Sequence, residues 1–204
     1  LADGLLLKGH ESGGYVGEDS TFILLQRWLG RTRLPLYVRG GLTPHVAAAC
    51  SAVGVRGGAL DAQLLLMEEA NLPEGLRPLL ENLAGSETVA VGDGERGEYF
   101  RVLVRPGHAA ARAFAAAGQG SGFDGLRPLV ERCAAGWTDP TAGLLAIGQD
   151  VCFAASWRRE HRHVAAALQA IDRAVASHLR TAVRARSIDA DAPLARALNL
   201  RFPI

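Results

Sequence analysis

The sequence predicts an α/β fold, a piece of a (β/α)8 barrel followed by a mostly helical region, and three observations carry this. Short apolar runs alternate with helix-patterned segments over residues 1–70, glycines close the runs, and the alternation stops after Leu66. A complete eight-stranded barrel takes roughly 200 to 250 residues of such units, so the alternation accounts for only part of one.

The elements follow in order. Leu5-Leu6-Leu7 is a continuous apolar run closed by Gly9, the pattern of a strand buried on both faces. After a glycine-rich loop, Asp19 or Ser20 offers an N-cap to a helix with apolar positions Phe22, Ile23, Leu25, Trp28 and Leu29. Leu34 to Val38 reads as the next strand and ends at Gly40-Gly41. Thr43 then caps a helix with Pro44 at its first position, and Gly54 stops it after Val53. Gly57 to Leu60 makes a third short strand. Strands separated by single helices pair in parallel through right-handed crossovers.

From Glu74 the pattern turns mostly helical with one β excursion: Val89–Val91 and Tyr99–Val104 flank Gly92-Asp93-Gly94 and Gly97 as a hairpin. Helices are expected at His108–Ala117 and Gly125–Ala134, and a long amphipathic one at Val164–Arg184, where Val164, Leu168, Ile171, Val175 and Leu179 share a face. Residues 118–122 and 187–193 are linker candidates, and the tail ends in an extended Leu200–Ile204. The division expected is 1–70 for the barrel part, 71–186 for a mostly helical region completing or capping it, and 187–204 for a linker and following strand.

With 49% apolar and 21% charged residues in 204, the composition is that of a globular chain and excludes disorder and collagen-like repeats. The formal charge of +1 gives no clustered basic excess for nucleic acid or a membrane surface. The expected partners are small molecules or other proteins. Cys50, Cys133 and Cys152 are too few and too scattered for a disulfide framework or a zinc site, which fits a reduced, cytoplasmic setting. No run approaches the roughly 20 apolar residues that span a bilayer. The first residue is Leu1 rather than methionine, as at a fragment boundary. Trp28 and Trp157 lie among apolar residues at helical spacing and are expected in the core, and His161 and His163, two apart, would face different sides of a helix.

Chemistry concentrates in Gly9-His10-Glu11-Ser12-Gly13-Gly14-Tyr15-Val16-Gly17-Glu18, which follows a buried strand and so sits at the carboxyl end where barrel enzymes keep their sites. Gly13 and Gly14 let a flat ring or a phosphate approach the backbone, with the Glu11 carboxylate beside the opening. An ordinary flexible loop is the alternative. Arg39-Gly40-Gly41 before a capped helix offers backbone N–H groups to an anion, or is simply a tight turn. Gly143 to Asp150, containing Gly148-Gln149, reads from its residues alone as a helix cap.

Lys8-Gly9-x-Glu11-Ser12-Gly13-Gly14-x-x-Gly17 resembles the strand-to-loop signature of nitronate monooxygenases (2-nitropropane dioxygenases) and flavin-dependent enoyl-acyl-carrier-protein reductases. The resemblance implies the C-terminal part of an FMN-binding TIM barrel. It places Lys8, Glu11, Gly13 and Gly14 at the flavin ring, Gly40 and Gly41 at its phosphate, and Gln63, Gly148 and Gln149 among the remaining contacts. Metal ligands are not expected. The group carries a histidine directly after the two glycines, where this chain has Tyr15; a phenol is a weak base at neutral pH, and His10 is the nearest imidazole in sequence. Tyr15 and His10 are therefore the catalytic candidates. Where the group has a Gly-Thr pair near the phosphate, this chain has Asp61-Ala62-Gln63, and an aspartate there is unfavourable unless it points away, so the cofactor is held differently or more weakly.

The resemblance is to the version of this barrel joined to polyketide or polyunsaturated fatty acid synthases, in which an Arg-Phe-Pro-Ile strand opens a following barrel, as Leu200–Ile204 would here. Both ends would then be cuts. It implies an FMN-dependent oxidoreductase with NAD(P)H as a possible co-substrate, an acyl-carrier-bound or small-molecule substrate, and neighbouring synthase domains as partners. The alternative is a barrel module that has lost the chemistry and serves as a scaffold.

Overall fold

The computed structural model describes residues 2–73, 75–104 and 143–186, with a few isolated positions between 105 and 142. The helices expected at 108–117 and 125–134, Cys133 and the tail from 187 lie outside the described residues.

Three strands form a parallel sheet in the order β1 (Leu5–Lys8), β3 (Leu36–Arg39), β4 (Gly57–Ala59). The crossovers run through α1 (Thr21–Trp28) and α2 (Pro44–Ala52). Ser20, not Asp19, caps α1, its hydroxyl accepting from the Ile23 N–H at 3.4 Å, while Asp19 pairs with Arg27. Thr43 caps α2 through the Val46 N–H, with Pro44 at the first position as the sequence predicts.

One face of the sheet is covered by these helices. Leu7, Leu36 and Val38 pack with Leu25, Leu42, Cys50 and Val55. The other face carries Leu6 and Tyr37, 52% and 41% exposed. Among the described residues β1 pairs only with β3, so the sheet has the open edge and uncovered inner face of part of a barrel.

The glycine-rich segment is not a loop throughout. Gly14–Val16 forms β2, which pairs antiparallel with β6 (Glu98–Leu103), itself the second arm of a hairpin begun by β5 (Thr88–Asp93). This hairpin is the β excursion read in the sequence. Its pairing with β2 unites residues far apart in the chain and left no local signal.

Beyond β4 the chain makes a 3-10 turn (Ala62–Leu64), the short helix α3 (Leu76–Leu80), a second 3-10 turn (Gln149–Phe153), α4 (Ala154–His161) and the long α5 (Val164–Arg186). Leu66, Leu76, Leu80, Leu103, Leu145, Ile147 and Val151 form one core cluster, and Trp157 packs with Met67 and Ala167 in another. α5 lies against α2.

Two expectations are corrected here. Trp28 is 41% exposed, because α1 turns only Thr21 and Leu25 fully inward and leaves Trp28 between Arg27 and Arg31 on the surface. His161 and His163 do not share a helix: α4 ends at His161, Arg162 takes a positive φ of 59°, and α5 begins at Val164. Glu69 holds this corner, accepting from the Val164 N–H at 3.2 Å and lying 3.4 Å from His163.

Candidate functional site

The carboxyl ends of β1, β3 and β4 gather Lys8, Arg39 and Asp61, and the segment after β1 folds back over them. The Arg39 carbonyl is its anchor. It accepts from the Gly9 N–H (3.0 Å), the Ser12 hydroxyl (3.1 Å) and the Thr21 hydroxyl (3.0 Å). Glu11 turns its carboxylate onto the first turn of α1, where both oxygens accept from the Thr21 N–H at 3.2 Å, a favourable place for negative charge.

The turn carrying Gly148 and Gln149 closes on this segment. The Gln149 N–H donates to the Glu11 carbonyl at 2.8 Å. A side chain starting at Gly148 would meet the Glu11 carbonyl at 2.6 Å, the Gly13 nitrogen at 2.7 Å and Asp150 Oδ1 at 2.7 Å. Gly13 is equally confined, with the Ala146 carbonyl and the Gly148 nitrogen in the space its Cβ would take. Gly148 itself is extended and precedes the 3-10 turn, and the segment packs against the signature segment after β1.

Gly13 and Gly14 therefore differ. At Gly14, which has φ +76°, a Cβ would be accommodated at ordinary contact distance from Lys8 Nζ (3.6 Å) and the Phe100 ring (3.9 Å). The two glycines after β3 also differ. Above Gly40 the space is filled by Ser12, Thr21 and Glu11, whereas Gly41 (φ +62°) has only the Glu11 side chain near it, Oε1 at 3.5 Å. A phosphate at Gly40-Gly41 would have the Glu11 carboxylate as a neighbour.

Asp61 is paired with Arg39, which donates to its Oδ2 through Nε (3.2 Å) and Nη2 (2.6 Å). Gln63 is fully buried and structural: its Nε2 donates to the Leu42 carbonyl (3.0 Å) and its Oε1 accepts from the Asp61 N–H (2.9 Å). Burial and the nearby Arg39 lower the pKa of Lys8, and Asp61 opposes them.

The structure brings Lys8, Glu11, Gly13, Gly14, Gly40, Gly41, Gln63, Gly148 and Gln149 to one end of the sheet. The two catalytic candidates face the hairpin that borders this end, Tyr15 directly following Gly14 in β2. His10 places Nδ1 2.6 Å from the Gly17 carbonyl and lies edge-on to Tyr99. Tyr15, 37% exposed, is edge-on to Phe100 at 4.8 Å between ring centres.

Sequence reading passed over three residues. Arg101 is buried and donates to the His10 carbonyl (2.8 Å) and the Thr88 hydroxyl (3.0 Å), tying the hairpin to the signature segment. Arg101→Leu would strand both acceptors, and a loss of about 2 kcal/mol is expected in chemical denaturation. Arg39 is the partner of Asp61. Asp150 is 2% exposed and neither carboxylate oxygen has a hydrogen-bond partner. The available signal for Asp150 was an acid set between Ile147 and Val151, both of them core residues.

A surface depression of about 540 Å³ is lined by residues that include Glu68, Glu81, Arg158 and Arg162 and by none of the strand-end residues. Its arginines are paired, Arg158 with Glu81 at 2.6 Å and Arg162 with Glu68 at 3.1 Å. No three metal-ligating side chains cluster among the described residues, and no helix there is long and apolar enough to cross a membrane.

No family model matches the sequence. The chain superposes on FabK from Thermotoga maritima with a TM-score of 0.72 at 21% identity, over 91% of this chain and 58% of that one. Nitroalkane oxidase from Streptomyces ansochromogenes gives 0.64 at 21% identity, over 89% and 54%. The enoyl reductase domain of MlnA, from the macrolactin biosynthesis cluster of Bacillus amyloliquefaciens, gives 0.61 at 11% identity, over 90% and 59%. In sequence, 77 residues are 31% identical to (3aS,4S,5R,7aS)-5-hydroxy-7a-methyl-1-oxo-octahydro-1H-indene-4-carboxyl-CoA dehydrogenase of Rhodococcus jostii (strain RHA1), covering 37% of this chain and 22% of that protein. The chain thus spans little more than half the length of the solved structures it matches and about a fifth of that relative. The fold is α/β, part of the TIM barrel that these structures build, in agreement with the resemblance drawn from the signature segment.

Proposed function

We propose that this chain forms part of an FMN-dependent oxidoreductase of the enoyl reductase and nitronate monooxygenase type. FMN would pass hydride from NAD(P)H to an acyl-carrier-bound enoyl substrate, or take electrons from a small nitronate and hand them to dioxygen. The observation that carries this reading is Gly14, set beside the Lys8 ammonium and the Phe100 ring at the carboxyl ends of parallel strands. Lys8 would set an ammonium against the electron-rich edge of the ring, and Gly41 would lie towards the phosphate. The enoyl reductase domain from a macrolactin cluster among the structural neighbours supports work beside synthase domains.

The reading is tested by titrating the protein with FMN and following quenching of flavin fluorescence, for the parent and for Lys8→Ala. Saturable binding is expected in the parent, with a loss of about tenfold, or roughly 1.4 kcal/mol, in the variant. Anaerobic NAD(P)H should bleach the bound flavin and an enoyl thioester restore its absorbance, or else a nitronate should itself reduce the oxidised flavin; whichever reaction occurs names the substrate class. Absence of flavin binding at saturating concentration rejects the proposal.

A further inference from the structure

We propose that Asp150 is the proton-storing acid of this site, the buried carboxyl that exchanges a proton with a ligand held at the carboxyl ends of β1 and β3. The proposal rests on the flavin reading for the identity of the reaction and on the geometry of Asp150 for the proton.

The geometry is specific. Asp150 is 2% exposed, and neither oxygen has a protein partner, although buried carboxyls in folded proteins are almost always hydrogen-bonded. It lies on the turn that the Gln149 N–H fastens to Glu11. Oδ1 and the Gly13 nitrogen both fall 2.7 Å from the point where a Gly148 side chain would begin, so the carboxyl is turned back towards the signature glycines. Every charged group around it is otherwise engaged. Arg39 is spent on Asp61, Glu11 on the first turn of α1, and Cys152, two residues on, is a thiol whose ionisation Asp150 itself disfavours.

Burial first, and then the neighbouring Asp61 and Glu11, push the Asp150 carboxyl up to about 7, with its own backbone N–H and then Arg39 opposing them. A carboxylic acid that is half protonated near neutrality is suited to both donating and accepting a proton in the physiological range. His10 and Tyr15 face the hairpin, and Asp150 is on this reading a further group able to handle the proton.

The chemistry balances in either direction. In reduction, with the flavin as hydride source for one carbon of an enoyl C=C bond, the Asp150 O–H bond breaks and a C–H bond forms at the other carbon. The carboxylate then regains its proton from solvent. In oxidation, the carboxylate takes the proton from the carbon next to the activating group while the hydride leaves to the flavin.

The test begins without flavin. The side-chain carboxyl carbons of the full-length chain labelled with 13C-aspartate are titrated by NMR, and the Asp150 signal is identified by its absence in Asp150→Asn. A midpoint near pH 7 is expected. A midpoint near 4 overturns the proposal whatever the protein does with flavin. In the flavin-loaded protein, turnover of an enoyl thioester should fall at least tenfold in Asp150→Asn and lose the limb of its pH profile near 7, while bleaching of the flavin by NAD(P)H keeps its rate. An unchanged limb in the variant also overturns it. Failure to bind FMN rejects the flavin reading alone, and the titration still decides whether Asp150 stores the proton.

Discussion

Replacing Gly148 by alanine is expected to destabilise the protein by more than about 3 kcal/mol, because the position is closed by backbone on two sides. Gly148 has φ −86° and ψ 172°, an extended conformation open to any residue, so the cost is not conformational. It is steric. A methyl group there would stand 2.6 Å from the Glu11 carbonyl, 2.7 Å from the Gly13 nitrogen and 2.7 Å from Asp150 Oδ1. Two of these are backbone atoms that cannot rotate away, and the third belongs to a buried side chain. The clash would push the 143–149 segment off the signature segment and break the bond from the Gln149 N–H to the Glu11 carbonyl. Denaturant unfolding measures the loss, and hydrogen exchange at the Gln149 amide should accelerate more than exchange in α5. If the variant unfolds at the parent midpoint with the Gln149 amide still protected, the packing described at this junction is wrong.

That junction also shows what the sequence could convey. The parallel βαβαβ unit was legible because each piece is a local signal: an apolar run, a capping Ser20 or Thr43, Pro44 at a first helical turn. The hairpin was legible for the same reason. The antiparallel pairing of β2 with β6 was not, since Tyr15 meets Phe100 only after the chain has travelled the whole intervening length. This one pairing turned a presumed loop residue into a strand residue and drew Tyr15 to the hairpin side. Glycines read alike in sequence yet serve different ends here. Gly13, Gly40 and Gly148 are required by neighbouring atoms, whereas a Cβ at Gly14 would meet only ordinary contacts. Asp150 escaped for a related reason. Its type and position were visible, but burial without a partner is a property of the assembled strand ends, where Glu11, Arg39 and Asp61 arrive from separate elements.

Asp150→Asn is expected to change how stability depends on pH, and the sign can be worked out. The carboxyl is raised from an ordinary 3.8 to about 7 in the folded protein. Well below pH 4 it is protonated in both the folded and unfolded chains and contributes no pH dependence. Between about 4 and 7 the unfolded chain releases the proton while the folded chain keeps it, so the folded state binds more protons and stability falls as pH rises. Above 7 both are ionised and the penalty is complete, on the order of 4 kcal/mol for a shift of roughly three units. Asparagine does not titrate and escapes this penalty, although its buried amide brings desolvation of about 1–3 kcal/mol at every pH. The variant should therefore be the less stable protein at pH 4, and its stability relative to the parent should climb steadily to a plateau by pH 8. Urea unfolding of both proteins at pH 4, 6 and 8 reads this directly. A difference that stays constant across that range would mean that Asp150 ionises as an ordinary carboxylate, with a hydrogen-bonding or cationic partner beside it.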